Sequence, residues 1–198
     1  MTLCRQKWTS LPDGDRTDEA HLQLTSEGMY AFGTAIAPDY ALSWRLDAGE
    51  GWVTRELRVT AEAFEWSRSL VLRRSPDGVW SSQTNSMGSV GLPDPGLADP
   101  ESLSTALDCD LGLCPVTNTM PIRRLGLLER EVPPTPLIMA WVEVPSLRVL
   151  RSDQLYASSP RPGRVRYRSL HRDFEAELLV DQDGVVIEYP TLARRVDH

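Results

Sequence analysis

Along most of the chain apolar and polar residues alternate with a period of two, the pattern of strands that bury one face. Tyr40, Leu42, Trp44 and Leu46 share one side of a run whose other side is Ala41, Ser43, Arg45 and Asp47. The pattern recurs after Trp52, where Val53, Leu57, Val59 and Ala61 are set against Thr54, Glu56, Arg58 and Thr60. Residues 69–74 then lead into Asp77-Gly78, a pair that favours the tight turn of a hairpin. Towards the end Phe174, Ala176, Leu178 and Val180 alternate with Glu175 and Glu177, and Asp183-Gly184 turns the chain into residues 185–189. The residues flanking these turns do not match at a fixed period, so strand, Asp-Gly, strand is a hairpin rule and not an internal repeat. The pattern predicts an all-β, mainly antiparallel meander.

The alternation breaks in two places. Residues 86–106 read SMGSVGLPDPGLADPESLSTA, rich in glycine, proline and serine. They predict a long loop or a short helix capped at Asp99-Pro100-Glu101, serving as a lid over a cavity mouth or as an excursion between hairpins. A second proline cluster, Val132-Pro133-Pro134-Thr135-Pro136, precedes the most apolar run, residues 137–144. Prolines there blunt the start of a strand and discourage pairing at its edge.

Residues 108–125, DCDLGLCPVTNTMPIRRL, concentrate rigid and charged residues where a plain strand needs none. Read as extended, the segment puts Asp108 and Asp110 on one face with Cys109 opposite, and points Arg123 and Arg124 to opposite sides. At least one arginine then faces inward and needs a partner, with Asp108, Asp110 and the Asn118 amide as local candidates. The simplest pairing joins Asp110 to Arg123 or Arg124, with Asn118 closing the turn. The order acid-Cys-Asp-Leu followed by Pro-x-Thr-Asn-Thr-x-Pro-Ile-Arg-Arg-Leu resembles the signature of the bacterial glycolipid-binding family. Trp44-Arg45-Leu46, Asp77-Gly78-Val79-Trp80, Val142-Glu143-Val144-Pro145, Gln154-Leu155-Tyr156 and Val180-Asp181 through Gly184 to Tyr189-Pro190 are similar to that family in the same order. The resemblance covers nearly the whole chain, departing at Cys114 and in the proline-rich stretch after Gly91. It implies one spiral β-roll spanning residues 1–198, similar to the half-barrels of periplasmic lipoprotein carriers, with an apolar concavity.

Composition narrows the partners. The 198 residues are 41% apolar and 25% charged, ordinary for one globular domain, with a net charge of -7. That balance argues against nucleic acid, which wants a basic face, although Arg123-Arg124 and the arginines of residues 161–172 form local basic clusters that suit a small anion. No apolar run approaches the roughly 18–20 residues that span a bilayer, and residues 1–7 lack the apolar core of a signal peptide, so the chain is expected to be cytoplasmic. Cys4, Cys109 and Cys114 read as reduced thiols, and His21, His171 and His198 are too scattered to suggest zinc.

Of the six tryptophans, Trp44, Trp66, Trp80 and Trp141 fall within or at the ends of strands. They either fill the interior or line a cavity, and tryptophan suits both hydrocarbon and sugar rings. No nucleophile-base pair, Gly-x-Ser-x-Gly elbow or phosphate-cradling loop is present, and neither metal nor cofactor is assigned. The leading expectation is binding of a lipid-like or glycolipid molecule. Its expected site residues are Trp44, Trp66, Trp80, Tyr156 and Tyr167 for the apolar part and Asn118, Arg123 and Arg124 for the head, with Asp110 beside them as an internal partner. A small hydrolase or isomerase using Asp108, Asp110, Asn118 and Arg123, and a non-catalytic interaction module, are the alternatives. The oligomer expected is a monomer or a homodimer.

Overall fold

The alternating runs fold into one sheet, seen in a computed structural model that describes residues 1–89, 91–170 and 172–196. Val90 in the proline-rich stretch, and His171 and His198 among the histidines weighed for zinc, lie outside the described residues. The first seven strands form an antiparallel meander: β1 (Thr2–Ser10), β2 (Thr17–Leu24), β3 (Met29–Ile36), β4 (Ala41–Ala48), β5 (Thr54–Glu62), β6 (Trp66–Arg74) and β7 (Trp80–Gly88). In β4, Leu42, Trp44 and Leu46 are buried as the alternation requires. In β5 the expected face is kept at Leu57, Val59 and Ala61, but Thr54 is buried where Val53 was expected inward. A register shift between Asp47 and Ala48 accounts for this, since one extra residue turns the next side chain to the other face. Both Asp-Gly pairs make the predicted hairpin turns, with Gly78 and Gly184 at positive φ.

The second half comprises β8 (Gly96–Leu97), β9 (Asp108–Leu111), β10 (Thr135–Val142), β11 (Arg148–Ser158), β12 (Arg164–Ser169), β13 (Phe174–Val180), β14 (Val186–Tyr189) and β15 (Ala193–Arg195). The sheet order runs from β7 down to β1, then β15 back to β9, with β8 pairing β11 off this path. Strand β9 lies parallel to β10 and the rest of the main path is antiparallel. The two leaves therefore meet where β15 pairs β1 through Trp8↔Arg195, Thr9↔Arg194 and Ser10↔Ala193. The sheet is curved and unclosed, with edges at β7 and β9. Two buried clusters form the core, a large one that joins residues of β1–β7 to Leu111, Ala140, Val142, Leu147 and Val149 of the second half, and a smaller one around Tyr156, Val165, Tyr167, Leu178 and Tyr189. No helix among the described residues is long and apolar enough to cross a membrane.

The stretch expected to run extended is strand only over Asp108–Leu111. It continues as a 3-10 turn, Pro115–Asn118, and a short helix α1, Thr119–Leu125. Pro115 fits the start of a helical turn because its missing N–H has no partner to satisfy there. Gly126 ends α1 at φ 65°, a left-handed conformation glycine adopts without a Cβ clash. Pro115 to Ile122 are all buried. Val116 and Met120 pack into the larger cluster and Ile122 into the smaller, so the segment is a plug joining the two leaves. A helix suits this position because it satisfies its own backbone groups in an apolar interior, where a lone extended segment would not.

The proline-rich stretch is anchored to the core at a few points. Strand β7 runs through Gly88, and a 3-10 turn at Glu101–Leu103 follows Asp99, whose carboxylate accepts the Ser102 N–H at 3.3 Å. Leu103 and Ala106 are fully buried. The buried Arg68 guanidinium donates to the carbonyls of Leu92, Pro93 and Ser146 and ties the stretch beneath β6. Among its described residues Gly96, Leu103 and Ala106 are buried and the others are exposed or half-buried.

Candidate functional site

The acids of β9 point to one side, as the alternation predicts, but their partners differ from those expected. Asp108, 1% exposed, is held by both terminal nitrogens of Arg124. Asp110 contacts neither arginine of α1; its carboxylate accepts from Gln154 Nε2 at 2.8 Å and from Thr117 Oγ1 at 3.0 Å. The helix explains the exchange, because neighbouring residues on α1 are about 100° apart and not on opposite sides. Arg124 thus turns to β9, while the Arg123 guanidinium lies 5.3 Å from the Trp52 ring centre. Burial raises the Asp108 carboxyl above its ordinary range against the pull of Arg124. It raises Asp110 too, opposed by Gln154, Arg172 and Thr117. With Asp108 sealed, the two carboxyls do not share an open site of the kind acid-base chemistry on a glycosidic or ester bond requires.

From Asp110 a polar and aromatic network runs outward. Asn118 accepts from the Tyr156 hydroxyl at 2.8 Å, and Tyr156 meets Tyr167 edge to face with ring centres 5.2 Å apart. Tyr167 packs in the same way on Tyr189 at 5.7 Å, and Tyr189 lies 5.9 Å from Phe174. Arg172 donates to the Tyr167 hydroxyl at 3.0 Å and sits over the Trp141 ring. Burial pushes the Tyr156, Tyr167 and Tyr189 phenols upward, so they stay protonated donors.

Arg172, Phe174 and Tyr189 form one wall of a cleft of about 460 Å³ beside the β1–β15 junction. The opposite wall holds Arg16, Asp18 and Tyr40, with Leu113 and Thr191 at the rim. Arg16 Nη2 donates to Asp18 Oδ1 at 2.7 Å, and both residues are 5% exposed. Arg16 Nε and Nη1 have no hydrogen-bond partner among the described residues. Burial raises the Asp18 carboxyl, with Arg16 opposing. Leu113 at φ 62° and Thr191 at φ 65° hold conformations that side chains rarely adopt, and such strain collects at functional sites.

This cleft was not among the sequence expectations. Asp110, Asn118, Tyr156 and Tyr167 come together in the network behind it. Trp44 and Trp80 are buried in the larger cluster, where the Trp80 indole donates to Ala106 O at 3.1 Å; Trp66 packs at that cluster's edge. Arg123 lines a separate cleft with Arg161 and Arg164, where Glu177 pairs with both of those arginines. Extending the alternation of Leu24, Leu22 and Ala20 backwards places Asp18 and Arg16 on the same inward face, a signal available in the sequence.

The fold and most of the length of the chain have known counterparts. No curated protein matches the chain. The crystal structure of a DUF1089 family protein from Pseudomonas aeruginosa is similar, with a TM-score of 0.70 and 29% identity, covering 90% of this chain and 92% of that one. Residues 6–195 match the family described as "putative glycolipid-binding", so across almost its entire length the chain belongs to that family.

Proposed function

We infer that the cleft beside the β1–β15 junction receives an amphipathic molecule of glycolipid type. One observation carries the reading: the Arg16–Asp18 ion pair and the rings of Phe174 and Tyr189 line one cleft. Its volume of about 460 Å³ falls within the roughly 300–1,000 Å³ of small-molecule sites. Arg16 and Arg172 balance Asp15 and Asp18, which suits hydroxyls, able to accept from guanidinium and donate to carboxylate, better than a strongly charged head. The rings of Tyr40, Phe174 and Tyr189 offer faces to a sugar ring or an acyl chain. On this reading Asp110, Asn118, Tyr156 and Tyr167 position the wall, while Trp44, Trp80 and Arg124 hold the roll.

The test is a titration with octyl β-D-glucoside below its micellar concentration, with methyl β-D-glucoside and octanol alone as the two half-ligands. The glucoside should bind more tightly than either half. Arg172→Ala and Phe174→Ala should each weaken it by roughly fivefold, about 1 kcal/mol, for a lost charged hydrogen bond or aromatic face. Arg123→Ala, in the separate cleft, should leave it unchanged. Wild-type protein that fails to bind, or cleft variants that bind like wild type, would sink the reading.

A further inference from the structure

The two edges of the sheet are treated differently. At one, β9 covers only the C-terminal half of β10, and the uncovered start of β10 carries Pro136 behind Pro133 and Pro134. At the other, β7 pairs with β6 without interruption from Trp66↔Gly88 to Arg74↔Trp80. Its remaining side meets no strand among the described residues; β8 touches β7 through the Ser82 hydroxyl, which accepts the Leu97 N–H at 3.0 Å. Natural sheets protect such edges with charges, prolines, bulges or short strands. The nine residues of β7, WSSQTNSMG, carry no charge and no proline, and their register with β6 has no bulge. All from Gln83 to Gly88 are exposed.

We propose that β7 is a self-pairing edge, joining antiparallel to β7 of a second copy about a twofold axis through Thr84. That register overlaps all nine residues, since Thr84 is the middle of Trp80–Gly88. It sets Thr84 against Thr84, Gln83 against Asn85 and Ser82 against Ser86, pairs of small and amide side chains that suit facing strands, and Ser81 against Met87. In a chain of net charge -7, a nine-residue edge free of charge is what pairing with an identical copy requires. The exposed apolar residues fit the same register. Val79 and Met87 are 57% and 65% exposed and share the outer face of the strand by parity. About the Thr84 axis, Met87 of one copy faces Ser81 of the other, diagonal to its Val79, so each end of the joint gains an apolar contact.

Sedimentation velocity of the full chain between about 1 and 200 µM tests this, because a single strand pair is a small interface and the association should be micromolar. Wild type should pass from monomer to dimer across that range. Gln83→Lys with Asn85→Lys places like charges opposite one another and should raise the dissociation constant about tenfold or more. Gln83→Lys with Asn85→Glu places opposite charges across the axis and should restore the dimer. Circular dichroism melting of all three, unchanged within a few degrees, separates lost pairing from lost folding. A monomeric wild type, a dimeric lysine-lysine variant or a monomeric lysine-glutamate variant overturns the proposal.

Discussion

Arg124→Ala isolates the buried ion pair that anchors α1 to β9. The substitution leaves the Asp108 carboxylate, 1% exposed, with its bidentate partner gone. Breaking a buried pair from one side costs roughly 3–5 kcal/mol, because the remaining charge keeps its desolvation cost and loses its compensation. At about 2–4 °C per kcal/mol for a chain of this size, melting should fall by roughly 6–20 °C. The pH dependence distinguishes this mechanism from simple loss of packing. Burial already raises the folded-state Asp108 carboxyl above its ordinary 3.8, and Arg124 opposes the rise, so removing Arg124 raises it further. A folded value above the unfolded one means that the folded chain binds the proton more tightly, so stability falls as pH climbs from about the unfolded value through the folded one. The penalty of Arg124→Ala should therefore be largest near pH 7 and shrink towards pH 5. Asp108→Asn should cost less, because Arg124 retains a contact with Trp52 O and an outlet to solvent, and adding Asp108→Asn to Arg124→Ala should recover part of the loss. Urea unfolding followed by tryptophan fluorescence at both pH values measures all of these. A loss below about 1 kcal/mol near pH 7, or one that grows on acidification, would refute the reasoning.

Two further outcomes follow from burial. Ellman's reagent should label Cys4 alone in the folded protein and all three cysteines in urea. Burial pushes the Cys114 thiol up to about 12 and Cys109 higher still, whereas Cys4 is only half-buried; a second reactive thiol before unfolding would contradict this. Gly33→Ala should destabilise by roughly 1–3 kcal/mol, since a Cβ there would lie 2.4 Å from Glu19 O and 2.7 Å from the Trp44 ring. A urea midpoint equal to wild type would show that Trp44 does not pack down on the Gly33 backbone.

The strands were legible because each buries one face and so repeats a period of two, as at Leu42, Trp44 and Leu46. The Asp-Gly turns were legible because few residues tolerate positive φ. The plug was harder to read. Seven residues with a proline inside make a poor helix in isolation, and α1 exists because the leaves on either side bury it. Its ends were nevertheless written in Pro115, in Arg123 and Arg124 of the last turn, and in Gly126. The partners of the acids lay beyond local reasoning, since Gln154 is 44 residues from Asp110 and only the sheet order sets β11 next but one to β9. Arg16 and Asp18 were missed for a different reason. A charged residue at a strand start is usually solvated, and the roll buries this pair only because the second leaf curls over it.

The narrowness of the junction between the leaves bears on motion. Three register pairs join β15 to β1, extended by Leu11 N–H to Leu192 O and Val196 N–H to Lys7 O, whereas β2 and β3 share eight. Next to β15, β14 is four residues long. The sheet is therefore sparsely paired around this waist, because β1 shares three register pairs with β15 and β14 shares two with each of its neighbours, and few backbone hydrogen bonds there resist a twist. Ser10 and Leu11 on one side, and Tyr189 and Leu192 on the other, border both the waist and the cleft. A small rotation there would move Tyr40 relative to Phe174, so the joint that completes the sheet would also set the width of the opening.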